Sequence, residues 1–327
     1  MSQKNYTGID VFRLVAAFFI IAIHTAPLKG IDMTLDFLVT YCIGRIGVPF
    51  FLMVAGYFVL SSSASLKRRS VKSKRYLIKL LFLYVVATIL YLPINLYAGK
   101  RPGNIWEMLK AFVFDGTFYH LWYLPAAILG CIILLVLFKF CSMRAVGIIS
   151  GILYLVGTLG DSYYGLVKSV GFIDNLYELI FRVSSYTRNG IFYAPIFLWL
   201  GVLAAQKERE RKPWTGLAVS LVLMLAEGLF TYRMGWQKHN SMYIMLVPVM
   251  YLLFALLLDM GGKKDSSFQR LREVSLWVYL LHPICIILVR GGARVVHMTE
   301  LLVDNSLVHY VAVCVLSVIL AEGVCLL

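Results

Sequence analysis

The chain has 327 residues, of which 60% are hydrophobic and 15% charged, with a formal net charge of +14. An average soluble domain is roughly 45–50% apolar, so no water-soluble fold could hide this much apolar surface, and a polytopic membrane protein is the class that remains. No basic helix with interleaved aromatics lies outside the apolar runs, so the charge reads as topology and anionic headgroups, with no nucleic acid partner.

In chain order, apolar runs long enough to cross a hydrocarbon core of roughly 30 Å as helices fall at about 8–27, 38–60, 76–97, 120–138, 145–160, 189–205, 215–232, 241–259, 274–290 and 307–326. They are continuous rather than alternating, which predicts an all-α integral membrane protein of about ten helices and not a barrel. The fifth run is short and diluted by Gly147, Gly151, Gly157 and Gly160. Lysine and arginine crowd the segments before the third run, between the sixth and seventh, and between the eighth and ninth. The positive-inside rule therefore puts the N- and C-termini in the cytoplasm and the protein in the cell membrane. The polar start MSQKNYT leads into a full span with no small-residue cleavage site, so no signal peptide is predicted. No repeat or linker divides the chain, which reads as one domain over 1–327. Its last residues, VCVLSVILAEGVCLL, stop inside an apolar run without interfacial anchors, and a cytoplasmic segment is expected to follow.

The first run carries Asp10, Arg13 and His24. Eleven residues at about 100° each bring His24 back to within about 20° of Arg13, some 16 Å along one helix face. Asp10 stands three residues before Arg13, a spacing at which helical side chains are neighbours and a carboxylate offsets a guanidinium. Burying an arginine costs about 2.5–3.5 kcal/mol on insertion scales, so such a stripe should face a polar cavity or a partner rather than lipid.

Other polar groups stand out. Glu227 lies within AVSLVLMLAEGLF, and an intramembrane carboxylate is either functional or a protonated helix-packing group. Arg75 and Lys79 lead into the third run on the predicted inner side; Asp161 and Arg188 bound the longest stretch between runs, and long ordered loops are often functional. His120 and Trp122 belong to HLWYLP and His282 to YLLHP, aromatic motifs that suit interfacial anchors or a site; His239 follows Trp236 and Lys238 in a predicted outer loop. The six cysteines show no CxxC spacing and read as small packing residues, with no metal site.

Arginine, ten residues, then histidine on a first span that opens IDVFR resembles the signature of the membrane acyltransferase 3 family. PFFLMVAGYFVL from Pro49, with Ala55 where the family has serine, the basic KSKRYLIKLL, YHLWYLPA from Tyr119 and SLWVYLLHP from Ser275 are similar to its later motifs in the same order. A finer resemblance, carried by HLWYLPA, GDSYYGL, TRNGIFYAPIFLWLGVL, HNSMY and SLWVYLLHP, is to the membrane domains of VanT-type membrane-bound serine racemases of vancomycin-resistance clusters. The family resemblance implies O-acyl transfer from acyl-CoA, with His24 as general base and Arg13, Arg75 and Lys79 toward the donor's phosphates. The racemase resemblance implies handling of L-serine for a covalently linked cytoplasmic racemase domain that holds pyridoxal phosphate, with no cofactor in this domain. Arg13, Arg188, Asp10, Asp161, Glu227, His120 and His239 are the polar groups available to a zwitterion. A passive anchor is the third reading, and a homodimer is compatible with all three.

Overall fold

The structure is a computed structural model that describes residues 6–61, 66–100, 102–206, 213–261 and 266–326. Among these residues there is no strand. The helices are α1 (Thr7–Thr25), α2 (Met33–Tyr41), α3 (Gly47–Ala55), α4 (Leu66–Tyr97), α5 (Ile105–Lys110), α6 (Tyr123–Phe140), α7 (Met143–Leu159), α8 (Tyr164–Lys168), α9 (Gly171–Val183), α10 (Ala194–Gln206), α11 (Trp214–Arg233), α12 (Leu246–Asp259), α13 (Ser266–Val295) and α14 (Ser306–Leu326). Among the described residues, seven helical stretches are long and apolar enough to cross a membrane, and α7, α10 and α12 are shorter apolar helices; together they coincide with the ten runs of the sequence. The chain is an all-α, multi-pass membrane protein.

α4 shows what that solvent demands. Ile78, Phe82, Val85, Ile89, Leu92 and Leu96 are exposed, while Leu80, Tyr84, Ala87 and Tyr91 are buried. Both sets recur at helical spacing, so the exposed stripe is as apolar as the buried one. Soluble monomers rarely expose contiguous apolar surface on that scale, and lipid is the medium that accepts it.

The second run is one span built in pieces, α2, a 3₁₀ turn over Ile43–Ile46, α3 and a π turn over Gly56–Leu60. Pro49 fits the break: it lacks an N–H and its ring crowds the carbonyl four residues earlier, and it is accommodated at least cost in the first turn of a helix, where α3 places it. Glycines set the close approaches. A Cβ on Gly47 would meet the Ala16 carbonyl of α1 at 2.9 Å, and one on Gly56 or Gly201 would collide with the backbone of Leu198 or Met53 respectively. The glycines that dilute the fifth run have the same use, since Gly147 lies under Trp199 of α10 and Gly157 against Phe192 and Met242.

Two compact units result, residues 1–51, 210–228 and 248–327 in one and 52–209 with 229–247 in the other. In the first, α1, α13 and α14 share a core of Ala17, Ile21, Val274, Val278, Cys285, Ile286, Val313 and Ala321. In the second, α4, α6, α7 and α10 pack together, and the stretch 161–188, expected as a loop, is mostly the short helices α8 and α9.

Candidate functional site

The sequence-predicted residues gather into two clusters, one in each unit. In the first, Asp10 on α1 is buried, and Arg272 on α13 donates to it twice, Nε to Oδ1 at 2.7 Å and Nη2 to Oδ2 at 2.8 Å. Arg13 Nε stands 3.5 Å from Asp10 Oδ1, so one carboxylate serves two guanidiniums. About three to four turns further along the same helices, the rings of His24 and His282 stack with centroids 5.3 Å apart and planes 19° apart. Because the pairs 10/272 and 24/282 both meet, α1 and α13 run parallel.

His282 is fully buried in the middle of α13 rather than at a span end. Pro283, next to it, has no N–H to give to the carbonyl of residue 279, where a helix would otherwise place its hydrogen bond. His282 Nδ1 takes that carbonyl, 2.8 Å from Tyr279 O. A carbonyl can only accept, so Nδ1 carries the proton and Nε2 the lone pair. The HP dipeptide of the motif is thus a tautomer lock. Glu227 falls in this unit, half-buried on α11. Arg45, which carries no motif, is buried in the 3₁₀ turn with its guanidinium 5.4 Å over the Tyr41 ring.

The second cluster forms where the end of α7, the start of α10 and the segment after α11 meet. Asp161 is fully buried. Its Oδ1 accepts from Ser241 N at 2.6 Å, Met242 N at 3.0 Å and Ser162 Oγ at 3.0 Å, while Oδ2 is buried with no hydrogen-bond partner. Arg188 Nη1 donates to Ser241 Oγ at 3.0 Å, and its guanidinium carbon lies 4.4 Å over the Tyr186 ring and 5.2 Å over that of Trp122. The His239 ring stands 4.5 Å from Tyr186, and its Nε2 is buried with no hydrogen-bond partner. Burial pushes the His239 pKa below its ordinary value; Asp161 opposes that shift, while Arg188 and Lys238 add to it. The Lys238 ammonium sits 3.7 Å over Phe181 and 4.5 Å over Tyr164, and burial lowers its pKa too, with Asp174 opposing.

The loop that presents Arg188 is rigidly held. Asn189 Oδ1 accepts from Ile191 N at 2.9 Å and Phe192 N at 3.1 Å, and its Nδ2 donates to Tyr186 O at 2.9 Å. Thr187 Oγ1 donates to the Gly157 carbonyl of α7 at 2.8 Å. The RNG tripeptide is therefore a built turn.

The remaining candidates lie outside both clusters. Arg75 and Lys79 are exposed on α4, in the unit that does not contain Arg13. His120 is buried among the rings of Tyr91, Phe118 and Tyr119. Arg272, Tyr186 and Ser241 were not among the sequence candidates, although Ser241 lies within the HNSMY motif. Arg272 precedes His282 by ten residues, a near-copy of the Arg13 to His24 spacing; Tyr186 and Ser241 are neutral and carry no comparable signal. Among the described residues no three histidine, cysteine, aspartate or glutamate side chains are grouped to hold a metal, and none of the six cysteines is in a disulfide.

Comparison with known proteins follows the same lines. The profile of a family described as an acyltransferase domain matches residues 6–322. Two proteins named amino-acid racemase from Enterococcus faecalis are 41% and 37% identical over 98% of this chain, covering 45% and 46% of their own lengths. A serine/alanine racemase from Enterococcus gallinarum is 33% identical over 97% of the chain and 45% of its own length. The chain thus spans a little under half the length of these curated relatives. No solved structure matches it.

Proposed function

Because this chain belongs to the acyltransferase domain family, acyltransferase 3, and resembles racemases about twice its length, we propose that it is the membrane domain of a vancomycin-resistance serine racemase. In this role it binds L-serine and brings it to a linked cytoplasmic racemase domain, which would hold the pyridoxal phosphate. The observation that carries the serine reading is Ser241, which gives its N–H to Asp161 and its hydroxyl oxygen to Arg188. An anion and a cation are thereby fixed to one residue inside an aromatic wall, and a zwitterionic amino acid needs both. Arg188 suits a carboxylate, and the unpartnered Oδ2 of Asp161 suits an ammonium. His239, held neutral by its lowered pKa, adds a nitrogen within the same enclosure for a hydroxyl.

The test is uptake and binding of labelled L-serine by proteoliposomes holding this chain. Accumulation above empty vesicles, abolished in Arg188→Ala and Asp161→Asn, is expected; uptake no greater than in empty vesicles would sink the transport reading.

The stacked pair His24 and His282 favours a second reading, O-acyl transfer from acyl-CoA to a hydroxyl acceptor. An imidazole whose partner ring has a fixed tautomer, beside an arginine stripe held by Asp10, is equipped to take a proton from a hydroxyl. This reading expects acyl-CoA binding that weakens in Arg13→Ala and turnover that is lost in His24→Ala; a domain serving only as an anchor would leave both unchanged.

A further inference from the structure

Helix α9 has three sides, and only two of them are accounted for by protein and water. Ile173, Tyr177, Ile180 and Phe181 form the side toward the protein: Tyr177 is buried, its hydroxyl donates to the Val156 carbonyl at 2.6 Å, and its ring lies against Gly160. Asn175, Glu178 and Arg182 form an exposed polar side. Phe172, Leu176, Leu179 and Val183 fall within about 60° of one another on the helical wheel, and all four are exposed, Phe172 by 76% and Leu179 by 54%. Water is a poor neighbour for a continuous apolar stripe of a helix.

The level of the helix identifies what covers it. Val156 is in the last turn of α7, which ends at Leu159, and Tyr177 ties α9 to that turn. The end of a bilayer-crossing helix is where hydrocarbon gives way to headgroups. A helix fastened there, with one polar side and one apolar side, has the form of a monotopic interfacial helix. A second attachment fixes the same level: Lys110 Nζ, at the end of α5, donates to the Phe181 carbonyl at 3.0 Å, and α5 itself exposes Ile105, Trp106, Met108 and Leu109. Tryptophan at that position is typical of a bilayer interface.

We propose that α9 lies in the bilayer interface at the Leu159 end of α7, with Phe172, Leu176, Leu179 and Val183 against phospholipid. The occupant of this face is lipid and not a second copy of the chain, because the span it is fastened to also exposes apolar side chains at that level, Leu155 and Leu159. The helix also adjoins the second cluster: Phe181 and Tyr164 clasp Lys238, and the chain leaves α9 directly into Ser184, Ser185 and Tyr186. An interfacial α9 would therefore link the state of the lipid boundary to the turn that presents Arg188.

The experiment places the photo-crosslinker p-benzoylphenylalanine at Leu176 and, in a separate protein, at Glu178, in the full chain reconstituted in phospholipid nanodiscs. Both positions are exposed, so neither replacement disturbs packing. Irradiation is expected to give several-fold more phospholipid adduct at Leu176 than at Glu178, read as a mass shift of the intact protein, with Phe172 repeating the Leu176 result. Equal adduct yields at the two positions would overturn the proposal, as would crosslinking from Leu176 chiefly into a second protein chain.

Discussion

Asp161 presents two oxygens of unequal standing, one held by three donors and the other buried without one. Asp161→Asn keeps the size and removes the charge, and Arg188→Lys keeps the charge and removes the planar fork that stacks on Tyr186. Each is expected to weaken L-serine binding by about tenfold or more, equivalent to about 1.4 kcal/mol, measured by equilibrium binding to the purified protein. His239 yields a pH expectation. Its folded pKa lies below its unfolded value, so the folded state binds fewer protons; its contribution to stability is complete above about pH 6.5 and is lost as the pH falls toward the folded pKa. Thermal melts in detergent should therefore lose part of their acid-side decline in His239→Gln. The stripe from Asp10 to His24 was legible, because helical arithmetic on nearby residues needs no tertiary information. Arg272 was legible only as a topological charge, since its bond to Asp10 joins residues 262 apart in the chain.

Among the elements, the glycines separate into two kinds with opposite expectations. A side chain on Gly56 or Gly201 would be driven into backbone, and Gly201→Val should cost about 1–3 kcal/mol by overpacking, seen as a lowered melting temperature. Gly151 in α7 has nothing within 4 Å of an added Cβ, so Gly151→Ala should stabilise by about 0.5–1 kcal/mol through helix propensity alone. Sequence hydropathy treats both kinds as dilution of an apolar run, which is why α7 looked weak although Gly147 and Gly157 are what let α10 and the segment near Met242 approach it. The ten runs themselves were legible, since continuous apolarity at bilayer length admits one regular structure. The break at Pro49 and the helices within 161–188 were not, because the first depends on which turn receives the proline and the second on a face that only lipid explains.

For the whole molecule, the distribution of lysine and arginine predicts that both termini are cytoplasmic. Fusions ending after residue 206 or residue 261 should carry an active cytoplasmic reporter, and fusions ending near residues 100, 170 and 238 an active external one. The reversed pattern would put Arg188 and Asp161 in the cytoplasm and the C-terminus, with any domain linked to it, outside. It would remove the reason to regard that cluster as an entry site while leaving the His24 and His282 pair untouched. The same fusions thus test the uptake reading without bearing on acyl transfer.

The lock on His282 has a consequence for proton movement. With Nδ1–H committed to the Tyr279 carbonyl, the imidazole exchanges protons through one nitrogen only. A proton that arrives at Nε2 must also leave from it, so the ring can take up a charge or share it with His24, but it cannot conduct a proton from one side to the other. A hydrogen-bonded path that reaches His282 ends there, unless the Nδ1 bond to the α13 backbone is first broken. Pro283→Ala would supply the carbonyl with its ordinary backbone donor and free Nδ1, and nitrogen NMR of labelled histidine should then show His282 shifting between tautomers where the native protein shows one. In the native chain, a single missing amide hydrogen makes a two-ended ring into a terminus.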